Sequence, residues 1–421
     1  MNHHVSRLKN GITVATVEMP HMASVSLGIW VGVGGRYEPA ELNGISHFIE
    51  HMLFKGTRRR TAKEISQSVE GIGGYLNAFT GEESTCFYSK ARHDRYEQLL
   101  DVLTDMFLNS KLDPAEIAKE RSVIKEELAM YMDQPHQLVQ ELLNETLWPN
   151  HPLGRSLTGT EKTIDSMDRA KLVSYRRANY VAPTTLVTAA GNLSHDKIVR
   201  AVSRFAPKFA PGKRPHFQPV DDTQTEPRVR TFSKDTAQLQ LALAFRTCSR
   251  HDERRFALRI LNTLLGENMS SRLFQVIRED HGLAYSVHSC LVFFDDVGSL
   301  IISAGMDTDQ IPRVMKLITR EVKRLTEKVP SAKEMRQTRD FLIGQIDLSL
   351  ESTENQMMWL GDQLIGYGKI IAPSEIKKRL THVQPAEVRR VAQAFFRPDR
   401  LSLSVVSPLK AARPLRDLVK F

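Results

Sequence analysis

His47, Glu50 and His51 are the residues of this chain whose types and spacing most directly suggest chemistry. They lie in Gly44-Ile45-Ser46-His47-Phe48-Ile49-Glu50-His51-Met52-Leu53-Phe54, which reads as a helix beginning near Leu42. Residues four apart share a helix face, so both imidazoles can reach one metal ion while Glu50 sits on the turn beside them. Two imidazoles with an adjacent carboxylate suit zinc. A catalytic zinc takes three protein ligands and lowers the pKa of a bound water to about 7, and a carboxylate outside the ligand set removes the proton. His47 and His51 are therefore read as metal ligands and Glu50 as the base. A third ligand is still required.

The segment from Glu116 to Met130 holds neither Pro nor Gly and is rich in helix formers. Glu120 and Glu127, seven apart, return to nearly the same helix face, whereas Glu126 points elsewhere. Both remain open as the third ligand on spacing alone. The order His-x-x-Glu-His is that of the inverted zincins. Taken with the later glutamate pair, it makes the chain resemble the pitrilysin family, in particular the branch of the mitochondrial processing peptidase beta subunit and the short bacterial zinc peptidases. The resemblance implies that Glu127 is the ligand and that Glu120 supports the site from behind it.

Two further segments resemble family motifs. Residues 73–88 read by themselves as a hairpin with a polar turn. The resemblance implies that its first strand is an open sheet edge to which an extended substrate adds as another strand, with Asn77, Ala78 and Phe79 in contact with it; such an edge binds peptide backbone with little regard for sequence. Ser270 to Val287 reads as a helix ending near Asp280, a turn at Gly282 and a strand from Ala284. Here the resemblance implies that Arg278 and Tyr285 bind substrate carbonyls and help hold the oxyanion, for which a guanidinium and a phenol are suitable donors.

These residues need a scaffold to position them. At 421 residues the chain is too long for one ordinary core. Strands at 11–17 and 23–33 precede the metal helix, and in the second Val25, Leu27, Ile29, Val31 and Val33 alternate to give one buried face. Residues 207–220 carry four Pro and a Gly and suit an extended connector. After it the pattern repeats: Leu239, Leu241, Leu243 and Phe245 alternate as in 23–33, and a helix over 252–265 takes the place of the metal helix. There Leu258, Leu261 and Asn262 stand where His47, Glu50 and His51 stand in the first half, so one zinc per chain is expected. The expected fold is α+β, with two homologous domains, each a mostly antiparallel sheet packed with helices. By resemblance, these close clam-like on a central cleft. The expected boundaries are 1–206 for the metal-binding domain, 207–227 for the linker and 228–421 for the domain contributing Arg278 and Tyr285.

Composition narrows the remaining classes. A hydrophobic content of 41% and a charged content of 25% are those of a globular protein, and no apolar run is long enough to span a membrane. The net charge of +9 is spread along the chain among 49 acidic residues, which argues against a nucleic-acid footprint. Cys86, Cys248 and Cys290 are scattered and odd in number, fitting a reducing compartment. The bacterial cytoplasm is the expected location, although a removed targeting peptide would leave no trace here. His3 and His4 are expected on a mobile terminus, and Met357, Met358 and Trp359 in a core or interface. The expected function is a zinc-dependent endopeptidase that hydrolyses extended peptides or presequence-like segments by Glu-activated water. A non-catalytic scaffold or partner subunit is the alternative, opposed by the presence of the whole residue set. By resemblance the chain is expected to form a homodimer, or a heterodimer with a related subunit.

Overall fold

The computed structural model describes residues 3–221 and 223–408. The outer ends of the two expected domains, at 1–2 and 409–421, and residue 222 of the expected linker lie outside them. The chain forms two compact units. Unit 1 gathers the chain up to Leu128, Arg155–Gln218 and Asp347–Ile370, and unit 2 gathers Ala129–Gly154, Pro219–Ile346 and the chain from Ile371 on.

Unit 1 is built on β1 (His3–Arg7), β2 (Thr13–Glu18), β3 (Ser24–Val31), β4 (Tyr75–Thr80), β5 (Thr85–Arg92) and β6 (Thr185–Gly191) in the order β1-β2-β6-β3-β5-β4. Only β2 and β6 run parallel. Three helices, α1 (Ile45–Leu53), α2 (Ala62–Glu70) and α3 (Tyr96–Asn109), pack on one face of the sheet. The core between them includes Ile29, Phe48, Ile49, Phe87, Leu103 and Phe107.

Unit 2 repeats this plan with β7 (Arg228–Ser233), β8 (Leu239–Thr247), β9 (Ser286–Phe293), β10 (Gly298–Met306) and β11 (Leu401–Ser407), ordered β7-β11-β8-β10-β9. Without β1, each sheet places its strands first, fifth, second, fourth, third in chain order, with the first and fifth parallel. The internal repeat expected from the apolar alternation is therefore present in the strand order itself.

Three expectations need correction. The units are not consecutive halves of the chain. Helix α4 (Pro114–Asp133) is followed by α5 (Pro135–Leu147), whose Leu138, Val139 and Leu143 bury against Ala242, Ala244 and Val406 in unit 2. Likewise the helix Thr353–Tyr367 places Met357 and Leu360 against Ala15, Trp30 and Leu186 in unit 1. Each is the third α-helix after β5 or β10, and each covers the face that its own unit's other helices leave bare. For the same reason β3 is buried on both faces, not one: the Ser26 hydroxyl, on the second face, lies 3.0 Å from Thr353 Oγ1. Finally, His3 and His4 belong to β1, paired with Val17 and Thr16.

The expected connector is free of helix and strand after Lys208, yet its Phe217 is held by the Arg36 guanidinium 3.9 Å above its ring and by Tyr37 edge-on. Gly361 lets Thr353–Tyr367 lie against Trp30, since a methyl group there would lie 2.1 Å from Trp30 Cζ2. Trp30 is bound to Thr188 Oγ1 at 2.8 Å and packed edge-on to Phe79, so it has little freedom to yield. Gly361→Ala is expected to lower stability by about 1–3 kcal/mol through overpacking. Denaturant titration measures this, and an unchanged midpoint would mean that the helix does not pack as described.

Candidate metal centre

Helix α1 begins at Ile45, three residues later than its sequence suggests, because Gly44 has a φ of +92°, a conformation that ends any helix entering from upstream. The orphan N–H groups of its first turn have no capping side chain of their own. Glu38 supplies one from outside the helix, accepting from Gly44 N at 2.7 Å and Ser46 N at 2.8 Å, with Asn43 Nδ2 at 3.2 Å. A buried carboxylate at the positive end of the helix dipole pins the start of α1. Burial raises the Glu38 pKa, opposed by these same hydrogen bonds. With Ile45, Phe48, Ile49 and Met52 turned into the core, His47 and His51 emerge together on the opposite side.

The carboxylate of Glu127, on α4, meets both histidines. Its Oε2 lies 3.7 Å from His47 Nε2 and 3.5 Å from His51 Nε2. Ligand atoms about 2.0–2.1 Å from a tetrahedral ion lie about 3.3 Å apart, so this donor set fits zinc to within a few tenths of an ångström. Among the described residues, His47, His51 and Glu127 form the one group of three whose ligand atoms converge within 4.8 Å. Glu120, one heptad earlier, faces the other side of the ring, where its Oε2 accepts from His51 Nδ1 at 3.0 Å. That hydrogen bond puts the proton on Nδ1 and leaves the Nε2 lone pair for a metal. Burial, reinforced by the neighbouring His51, pushes the His47 pKa down to about 4 against the opposing pull of Glu127. At neutral pH it is an uncharged imidazole, the form that ligates.

Glu50 precedes His51 on the same helix and lies near enough to His51 and Glu127 to sense both charges. Burial raises its pKa, and the Thr80 hydroxyl, donating to Oε2 at 2.5 Å, works in the opposite direction. Thr80 closes β4, the edge strand of the unit 1 sheet, and so ties the carboxylate to that edge. Along β4 the side chains of Asn77 and Phe79 are exposed, while Ala78 is half-buried. Asn77 Oδ1 accepts from the Ala78 N–H at 2.8 Å, occupying one main-chain donor of the strand.

Residues 13–161 match the family described as "Insulinase (Peptidase family M16)" and residues 166–342 the one described as "Peptidase M16 inactive domain". An uncharacterized zinc protease of Bacillus subtilis (strain 168) is 37% identical over 401 residues, covering 95% of this chain and 97% of that protein. The chain belongs to peptidase family M16. One uncharacterized zinc protease of Rickettsia felis is 35% identical over 396 residues, covering 94% of this chain and 95% of that protein. A crystal structure of a protease from Helicobacter pylori shares the M16 fold with a TM-score of 0.91 at 20% identity, covering 97% of this chain and 99% of that one.

In the second half of this M16 chain, Leu258, Leu261 and Asn262 occupy the helix Arg255–Asn262, buried and without metal-ligating side chains. The description of that half as inactive agrees with their chemistry. Arg278 lies in a π-helical turn, Phe274–Glu279, with its guanidinium 4.9 Å from the Phe274 ring centre and 5.9 Å from that of Tyr285. Strand β9 starts at Ser286, slightly later than expected, and Tyr285 is 75% exposed. Met357 lies in the core, as its composition suggests. Glu38 and Thr80 were not singled out in the sequence. Both act through partners in other elements, and nothing in their own neighbourhoods marks them.

Proposed function

We propose that this M16 chain is a zinc endopeptidase acting on extended peptides. The observation that carries the reading is the convergence of His47 Nε2, His51 Nε2 and Glu127 Oε2 beside a half-buried, unligating Glu50. Zinc held there would supply Lewis acidity toward a carbonyl and lower the pKa of water. Glu50 would take the proton from the attacking water and return it to the departing amine, with Thr80 holding its carboxylate in place. Glu120 would keep the His51 ring oriented.

The substrate reading rests on the open edge of β4, where a peptide can add as a strand. Asn77 would release the Ala78 N–H to the incoming backbone, and Phe79 would offer an apolar contact. Main-chain recognition of this kind suits peptides of varied sequence, including presequence-like segments. Arg278 and Tyr285 are assigned as donors to the substrate carbonyl oxygen, a role supported by their adjacency and by the exposure of Tyr285. Profiling cleavage of a peptide library by mass spectrometry tests the proposal. Chelation is expected to abolish cleavage and one equivalent of zinc to restore it; persistent cleavage by the chelated protein would overturn the reading.

A further inference from the structure

One charged side chain at the back of the metal centre has no role in the mechanism above. Lys55 follows the residue that caps α1, Phe54, and stands four residues after His51, as His51 stands four after His47. Gly56, at a φ of +105°, then turns the chain away. The Lys55 ammonium lies 2.5 Å from Glu120 Oε1, while the other oxygen of that carboxylate, Oε2, is the one that meets His51 Nδ1. The Glu120 side chain is only 4% exposed, so little water is available to replace either partner. A carboxylate held at one oxygen alone can rotate about its terminal bonds; held at both, it has one orientation.

We infer that Lys55 is a positioning residue for the metal: it fixes Glu120, which fixes the His51 ring, which presents Nε2 to the ion. The inference rests on the assignment of His47, His51 and Glu127 as zinc ligands. A neutral side chain at 55 removes the outer clamp without touching a ligand, and partners of this outer kind are worth about 10–100-fold in metal affinity.

A double-mutant cycle tests this, read as zinc affinity by competition with a chromophoric chelator on the full-length protein. Lys55→Met is expected to weaken zinc about 10-fold, and Lys55→Arg, which keeps the charge, to recover part of that loss. In a Glu120→Gln background, Lys55→Met should cost nothing further, because the residue through which it acts is already disarmed. Lys55→Gln serves as a second neutral variant should the methionine disturb folding. Equal affinity in parent and Lys55→Met overturns the inference, as does a full additional loss in the Glu120→Gln background. A parent protein that fails to bind zinc removes the underlying ligand assignment and the inference with it, and the same titration distinguishes that result.

Discussion

Glu50→Gln is expected to slow peptide hydrolysis by about 10²–10⁴-fold while zinc stays bound, the range attributed to a positioned general base. Glutamine keeps the shape of the side chain and still offers an oxygen to the Thr80 hydroxyl, so the hydrogen bond at 2.5 Å has a substitute acceptor and the helix keeps its packing. What disappears is the capacity to take a proton. The loss should therefore fall on kcat, with KM little changed, because the edge strand β4, proposed above to pair with the substrate backbone, is untouched. Unchanged turnover in a zinc-loaded Gln variant would rule Glu50 out as the base.

Glu127→Ala is expected to have the second large effect, this time on the metal. Its carboxylate is the sole group in the set that brings negative charge, and it closes the triangle at 3.5 and 3.7 Å from the two Nε2 atoms. Without it two imidazoles on one helix remain, and zinc affinity should fall by more than the roughly 100-fold upper value for an outer partner. Glu127 lies at the partly exposed site, so the apo fold should be retained and circular dichroism unchanged. Isothermal titration with zinc checks this, and an affinity equal to that of the parent would mean that the third ligand lies elsewhere.

Much of this centre can be read from the residues themselves, and the limits are physical. The i, i+4 spacing of His47 and His51 survives folding because a helix has one geometry. The choice between Glu120 and Glu127 does not follow from spacing, since a seven-residue interval returns both to one face. The family resemblance favoured Glu127, and the structure gives each carboxylate a different nitrogen: Nδ1 of His51 to Glu120 and the Nε2 pair to Glu127. Glu38 could not be found in advance, because its cap on α1 depends on the loop between them folding back on itself. Lys55 carried a weak signal in the repeated four-residue step from His47, but its meaning depends on Glu120 arriving from a distant helix.

The fold divides in the same way. Alternation in β3 and β8 revealed the repeat, and the shared strand order carries it through both sheets. Periodicity could not reveal the exchange of α5 and the helix Thr353–Tyr367. An amphipathic helix states that one face must be buried, not which sheet will bury it. Edge strands β1 and β7 are short and polar, with little alternation to announce them.

The central claim is that one zinc ion sits among His47, His51 and Glu127. An anomalous difference map collected at the zinc edge, from crystals of protein purified without chelator, tests it directly. The account predicts one peak per chain, about 2.0–2.2 Å from His47 Nε2, His51 Nε2 and a Glu127 carboxylate oxygen. No density among those three atoms in protein that still cleaves peptides, or a zinc peak at some other place in the chain, would contradict it.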